Sequence, residues 1–237
     1  MFSNILGYKV YNEDKSSLLN YIKKFNKVNI ISGNPEVLFN GLYNKELFDE
    51  FNSPESVIIP DGVGVVLAAK IVKEPVKEKI AGIELTEDIF KYCEENNKSV
   101  YLLGTKQGTL EKCVSNLTNK YTKLNICGYR NGFFNLDSCD DLISEINTKR
   151  PYAIFAAMGS PRQEKFISMY MHKLPCKIYM GVGGSFDVFA GEVKRAPRWM
   201  IKLGIEWLYR VFKEPWRIKR LWSIPKFLFM VIKSRKN

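Results

Sequence analysis

The sequence predicts an α/β protein, a Rossmann-like parallel sheet covered by helices on both faces, followed by a basic, amphipathic helical appendage. Three observations carry this expectation. Short apolar runs alternate with helical patterns along most of the chain, as in parallel sheets whose crossovers are helices. Most of these runs are apolar throughout rather than on every second residue, which is the pattern of strands buried on both faces. Charge is also segregated. Of the 36 basic and 25 acidic residues, twelve basic and two acidic ones fall in the last 43 positions, so nearly all of the net charge of +11 sits there. All four tryptophans (Trp199, Trp207, Trp216 and Trp222) lie in the same stretch. A near-neutral body, 1–194, and a basic, Trp-rich tail, 195–237, divide the chain.

The candidate strands are 28–32, 57–59, 100–103, 124–127, 153–157 and 178–182. Helical patterns fill 35–50, 63–73, 86–96, 107–120, 138–148 and 161–173. Right-handed crossovers place every strand's carboxyl end along one edge. There the chain repeatedly carries glycine and small polar residues: Ser32-Gly33-Asn34-Pro35, Pro60-Asp61-Gly62, Gly104-Thr105, Gly128, Gly159-Ser160-Pro161 and Gly181-Val182-Gly183-Gly184-Ser185. Any one of these is an ordinary tight turn. Six in succession point to a ligand cleft at the carboxyl edge.

The five cysteines form no CxxC pair and are odd in number, which argues against a disulfide framework or a zinc site and fits a reducing compartment. Neither a signal peptide nor a run of roughly 20 apolar residues is expected, so a membrane role would be peripheral.

Candidate chemistry gathers at the strand ends. Asp61, between Pro60 and a Gly-x-Gly turn, is placed to take a proton from an attacking hydroxyl; an Asx turn or a helix cap would explain it equally well. Gln163 and Glu164 open a helix after Pro161, where free backbone N–H groups favour an anion such as a diphosphate, although ordinary helix-start chemistry also accounts for them. Asp187 follows the turn containing Gly183, and Arg195 follows closely. No GxGxxG opens the first helix, which disfavours a dinucleotide enzyme. No GxSxG elbow is present, and the lone histidine, His172, reads as a helix residue. No Asp-x-Asp pair offers a seat for a divalent ion, so arginines and helix N-termini would have to stabilise a departing diphosphate.

In the tail, Arg198, Lys202, Glu206, Arg210, Lys213, Arg217 and Arg220 recur at steps of three and four and share a helical face, with Pro215 interrupting the run. Trp199, Trp207, Val211 and Phe212 lie on the other. A basic, Trp-rich amphipathic segment suits an anionic membrane surface, each basic residue contributing on the order of 1 kcal/mol. The apolar face could instead pack on the body. Nucleic acid is disfavoured because the body lacks a basic stripe.

Six segments, PDGVGVV (60–66), AGIELTED (81–88), YLLG (101–104), MGSPRQEKFI (158–167), GVGGSFDVFAGEVKRAP (181–197) and IEWLYRVFKEPWRIKR (205–220), occur in this order. Together they resemble the WecG/TagA/CpsF family of glycosyltransferases, of the TagA-like N-acetylmannosaminyltransferase type. The resemblance implies a Rossmann-like variant called GT-E, and transfer of N-acetylmannosamine or a related sugar from a UDP-sugar donor. It implies an acceptor sugar, N-acetylglucosamine, on undecaprenyl diphosphate, with inversion, in the synthesis of teichoic acid, capsule or a similar surface polysaccharide. It further implies that no metal or other cofactor is required. The tail would bring the protein to the inner, cytoplasmic face of the membrane and help complete the active site.

By the same resemblance Asp61 matches the base, Asn34 a donor-pocket residue and Gln163 a sugar contact. Arg210, Arg217 and Arg220 match arginines near the diphosphate. Ser32 stands where the family commonly has Thr, Lys79 where it has Arg, and Thr105 where it has a second Gly. Lysine keeps the charge and loses the bidentate fork. The rival reading is a nucleotide-sugar-binding or membrane-scaffold protein without catalysis. Exposed apolar surface on the tail leaves room for a partner protein or for a homo-oligomer.

Overall fold

The computed structural model describes residues 1–202, 205–213 and 222–235. Eight strands form one sheet in the order β1-β2-β4-β3-β8-β7-β5-β6. Its central strands are β3 (Val28–Gly33), β4 (Ser56–Pro60), β5 (Ser99–Gly104), β6 (Asn125–Arg130), β7 (Ala153–Ala157) and β8 (Ile178–Gly181), all parallel. The apolar runs acquire a direct explanation. Along β3, Val28 and Ile30 enter the core on one face and Ile31 the core on the other. Along β5, Val100 and Leu102 likewise oppose Tyr101 and Leu103. Both faces are covered, so these positions along the two strands are apolar whichever way they point.

Three elements at the amino end were not anticipated. Strands β1 (Phe2–Ile5) and β2 (Tyr8–Tyr11) form an antiparallel hairpin, and β2 extends the sheet beside β4. Leu6 and Gly7 both take positive φ, 54° and 84°, the requirement of a two-residue type I′ turn. Helix α1 (Lys15–Ile22) follows, with Asp14 accepting the Ser17 N–H at 2.8 Å as its N-cap.

The expected helix at 35–50 divides into α2 (Pro35–Leu42) and α3 (Lys45–Phe51), because Asn44 caps a new helix by accepting the Leu47 N–H at 3.1 Å. Beyond β4, α4 (Val63–Ile71) and α5 (Gly82–Glu95) carry the chain across the sheet, α5 beginning at Gly82 rather than 86. Helices α6 (Gln107–Lys120), α7 (Asp140–Lys149), α8 (Arg162–Tyr170) and the short α9 (Ser185–Phe189) complete the body. The chain winds outward from β3 to β4, crosses to β5 and β6, and returns through β7 and β8 to lie beside β3. Winding reverses between β3 and β8, where an open α/β sheet forms its ligand crevice.

The tail is not one continuous helix among the described residues. Helix α10 (Arg198–Lys202) and α11 (Glu206–Lys213) are short, and Ile205 between them is not helical. The final helix, α12 (Ser223–Ser234), returns to the body. Its Phe227 and Val231 are fully buried with Val37 and Leu38 of α2 and Val65 of α4. Packing on the body thus accounts for one face of α12, while Trp222, Phe229 and Ile232 stay exposed. No described helix is long and apolar enough to cross a membrane.

Candidate active site

A cavity of about 440 Å³ opens at the carboxyl edge of the sheet, over the β3/β8 boundary. Ser32, Asn34, Asp61, Lys79, Gln163, Gly183 and Asp187 all line it. Glu36, Thr105, Glu206, Trp207, Ser223 and Ile224 also contribute, so α11 and the start of α12 close a side that the sheet leaves open.

Asp61 follows the last residue of β4, and its backbone N–H donates to Gly33 O and Ile59 O. Gly62, at φ 91°, is the N-cap of α4, and no side chain caps that helix. The helix-cap explanation of Asp61 is therefore removed. Instead, its Oδ2 accepts the Ser32 hydroxyl at 2.7 Å. The pair fits only because residue 82 is glycine: a Cβ there would lie 2.5 Å from Ser32 Oγ and 3.2 Å from Asp61 Oδ2. Gly82 was not singled out from the sequence, although it sits in the AGIELTED segment; a glycine in the first turn of a 14-residue helix was the available signal.

Asn34 has a defined local duty. Its Oδ1 accepts the N–H groups of Glu36 and Val37 and caps α2, while its Nδ2 donates to Ser32 O. It lines the cavity as a helix cap.

Gln163 is almost fully buried at the base of the GVGGS loop. Its Oε1 accepts the Gly183 N–H at 3.1 Å, and its Nε2 donates to Glu164 Oε1 at 2.8 Å. Gly181 packs against the same amide, with no room for a Cβ. Glu164 stands behind Gln163, outside the cavity lining, and burial raises its carboxyl to about 7. It braces Gln163 from the core side.

Arg195 is also placed away from the lining. Its guanidinium donates to Glu84 Oε1 of α5 at 3.0 Å, and its Nε stands 3.7 Å from Glu206 Oε1 of α11. It ties the tail to the body. Arg217 and Arg220 lie outside the described residues, as does the side chain of Arg210. Among the described residues Lys79 is the only cation lining the cavity, and the lining also holds the carboxylates of Glu36, Asp61, Asp187 and Glu206. At the far end, the Thr105 hydroxyl donates to Asp187 Oδ1 at 3.3 Å.

A carboxylate held by a serine hydroxyl, in a cleft at the winding reversal of a parallel sheet, is the arrangement of a Rossmann-like ligand site. Comparison with known proteins specifies the class. The model of the Glycosyl transferase WecG/TagA/CpsF family matches residues 3–237. A relative in Bacillus subtilis (strain 168) is 36% identical over 231 residues, covering 95% of this chain and 89% of its own length. One in Staphylococcus aureus (strain MW2) is 34% identical over 240 residues, covering 99% and 93%. One in Bacillus spizizenii is 33% identical over 207 residues, covering 87% and 79%. All three bear the name N-acetylglucosaminyldiphosphoundecaprenol N-acetyl-beta-D-mannosaminyltransferase. The chain belongs to the WecG/TagA/CpsF family and is a glycosyltransferase.

Proposed function

We propose that this glycosyltransferase moves N-acetylmannosamine, or a closely related hexose, from a UDP-sugar to the N-acetylglucosamine of an undecaprenyl-diphosphate-linked acceptor, in teichoic acid or another surface polysaccharide. The names of the relatives support the sugar and the acceptor. The observation that carries the chemistry is Asp61, held by Ser32 inside the cavity and not spent on capping α4.

The reaction follows from that placement. Asp61 takes the proton of the acceptor hydroxyl as its oxygen attacks the anomeric carbon from the face opposite the diphosphate. The bond between the anomeric carbon and the diphosphate oxygen breaks, UDP leaves as an anion, and the configuration inverts. Backbone N–H groups of the glycine-rich loops and basic groups of the tail are the available stabilisers of that charge.

The tail gives the reaction a place. Exposed Trp199, Phe212, Trp222, Phe229 and Ile232 accompany Lys226, Lys233 and Arg235. In this reading the segment 195–237 lies on the anionic inner leaflet, where a lipid-carried acceptor can reach the cavity.

The test is UDP release, with several UDP-sugars, with and without a short-chain lipid-diphosphate N-acetylglucosamine acceptor, in metal-free buffer. Acceptor-dependent release with one donor is the expected result. Asp61→Asn should lower turnover by at least about 100-fold, within the range of general-base contributions, while UDP binding persists. Unchanged turnover in that variant would remove Asp61 from the mechanism.

A further inference from the structure

Thr105 adopts φ 48°, in the left-handed region. Among the described residues, four other non-glycine residues share that property: Leu6, Lys73, Asn97 and Arg150. Leu6 lies in the β1–β2 hairpin turn, and the others lie just beyond α4, α5 and α7. Thr105 differs from all four in being β-branched, the side-chain type least suited to this region, and in lining the cavity.

The backbone does not require a threonine there. The Thr105 N–H donates to Ala157 O at 2.8 Å, and its carbonyl accepts the Gly132 N–H at 3.0 Å. Glycine would make both bonds without strain. What glycine would lose is the side chain, whose hydroxyl donates to Asp187 Oδ1. Strain retained at a cavity wall for the sake of one hydroxyl points to a ligand contact.

Position identifies the part of the ligand. From β4, which Asp61 follows, to β5, which Thr105 follows, the sheet takes four steps through β3, β8 and β7. At ~4.8 Å per step the two ends are about 19 Å apart, a span of the order of an extended nucleotide sugar. With the transferred sugar at Asp61, the opposite end receives the nucleoside. A carboxylate beside a hydroxyl is a pair of hydrogen-bond acceptors. It repels phosphate oxygens and accepts from ribose hydroxyls or a base N–H.

We infer that Thr105 is a specificity-determining residue that, together with Asp187, reads the nucleoside half of the donor. The inference rests on the donor reading above. In the full chain, Thr105→Gly should weaken UDP binding in calorimetric titration about three- to tenfold, the worth of one ordinary hydrogen bond. Its thermal midpoint should stay level or rise as the strain is released. Thr105→Ser keeps the hydroxyl and should bind UDP within about twofold of wild type, again judged against one hydrogen bond. Competition by inorganic pyrophosphate should be the same in all three proteins.

Wild-type UDP affinity in Thr105→Gly would overturn the inference. So would a parallel loss of pyrophosphate affinity, or a lowered thermal midpoint, because either makes Thr105 a structural residue. A wild-type chain that binds no UDP would instead overturn the donor reading, and this inference with it.

Discussion

Replacing Gly82 with alanine tests the proposed role of the Ser32–Asp61 pair without touching either member. The new Cβ would stand 2.5 Å from Ser32 Oγ and 3.2 Å from Asp61 Oδ2. Carbon and oxygen in close contact stand about 3.3 Å or more apart, so the serine oxygen must retreat by roughly 0.8 Å or rotate away. Its 2.7 Å bond to Asp61 is then lost. A hydrogen bond to a charged group contributes about 1.5–3 kcal/mol. If that energy holds the carboxylate in its productive orientation, turnover in the UDP-release assay falls about 10- to 100-fold. Helix propensity acts weakly in the opposite direction, since Gly82 is the first residue of α5 and the preference for alanine there is below the ~1 kcal/mol of a helix interior. The thermal midpoint should therefore change by no more than a few degrees, and UDP binding should persist. Ser32→Ala supplies the coupling control: with the hydroxyl already gone, Gly82→Ala should add little. Full turnover in Gly82→Ala would refute the reasoning, as would a fall in turnover matched by an equal fall in stability.

Two further expectations concern stability and surface. Burial lifts Glu164 from 4.5 to about 7, so between these values the folded protein keeps a proton that the unfolded chain has released. Stability should decline as pH rises through that window, by on the order of 3 kcal/mol in total. Thermal midpoints of Glu164→Gln should lack this decline, and parallel pH profiles for the two proteins would disprove it. The two faces of α12 should separate cleanly. Phe227→Ala empties a fully buried site and should cost about 3–5 kcal/mol. Trp222→Ser with Phe229→Ser should leave the thermal midpoint nearly unchanged while weakening sedimentation with anionic vesicles, and undiminished sedimentation would refute the membrane reading of that face.

The doubly covered sheet was legible because burial on both faces forces continuous apolar runs. The cleft was legible because glycine and small polar residues recur at successive strand ends. The β1–β2 hairpin escaped because its short strands lack a continuous apolar run: β1 exposes Phe2 and buries Ser3, and β2 exposes Lys9. Gln163 and Glu164 show a sharper limit. Both were visible as helix-start candidates, but adjacent residues on a helix point about 100° apart, so one lines the cavity and the other faces the core. Arg195 was visible as a basic residue after a glycine turn. Its partner Glu84 lies 111 positions earlier, and only the fold brings the two together. Asn34 was expected in the donor pocket, and the structure employs its side chain in capping α2.

The charge of the cavity bears on what Asp61→Asn should do to binding. Four carboxylates and one lysine line its described part. Each carboxylate within 4 Å of a phosphate would oppose it by roughly 1 kcal/mol in bulk water and 4 kcal/mol near a protein surface. A diphosphate placed there needs cations from elsewhere, and the sequence supplies Arg217, Lys219 and Arg220 in the tail. The proposed base and the proposed anion site then belong to different parts of the chain. Removing the Asp61 charge subtracts from the repulsion and leaves the tail cations in place, so UDP affinity in Asp61→Asn should hold or increase while turnover collapses. Calorimetric titration beside the release assay measures both quantities. Affinity falling together with turnover would mean that Asp61 organises the nucleotide site, and the division of labour between body and tail would be wrong.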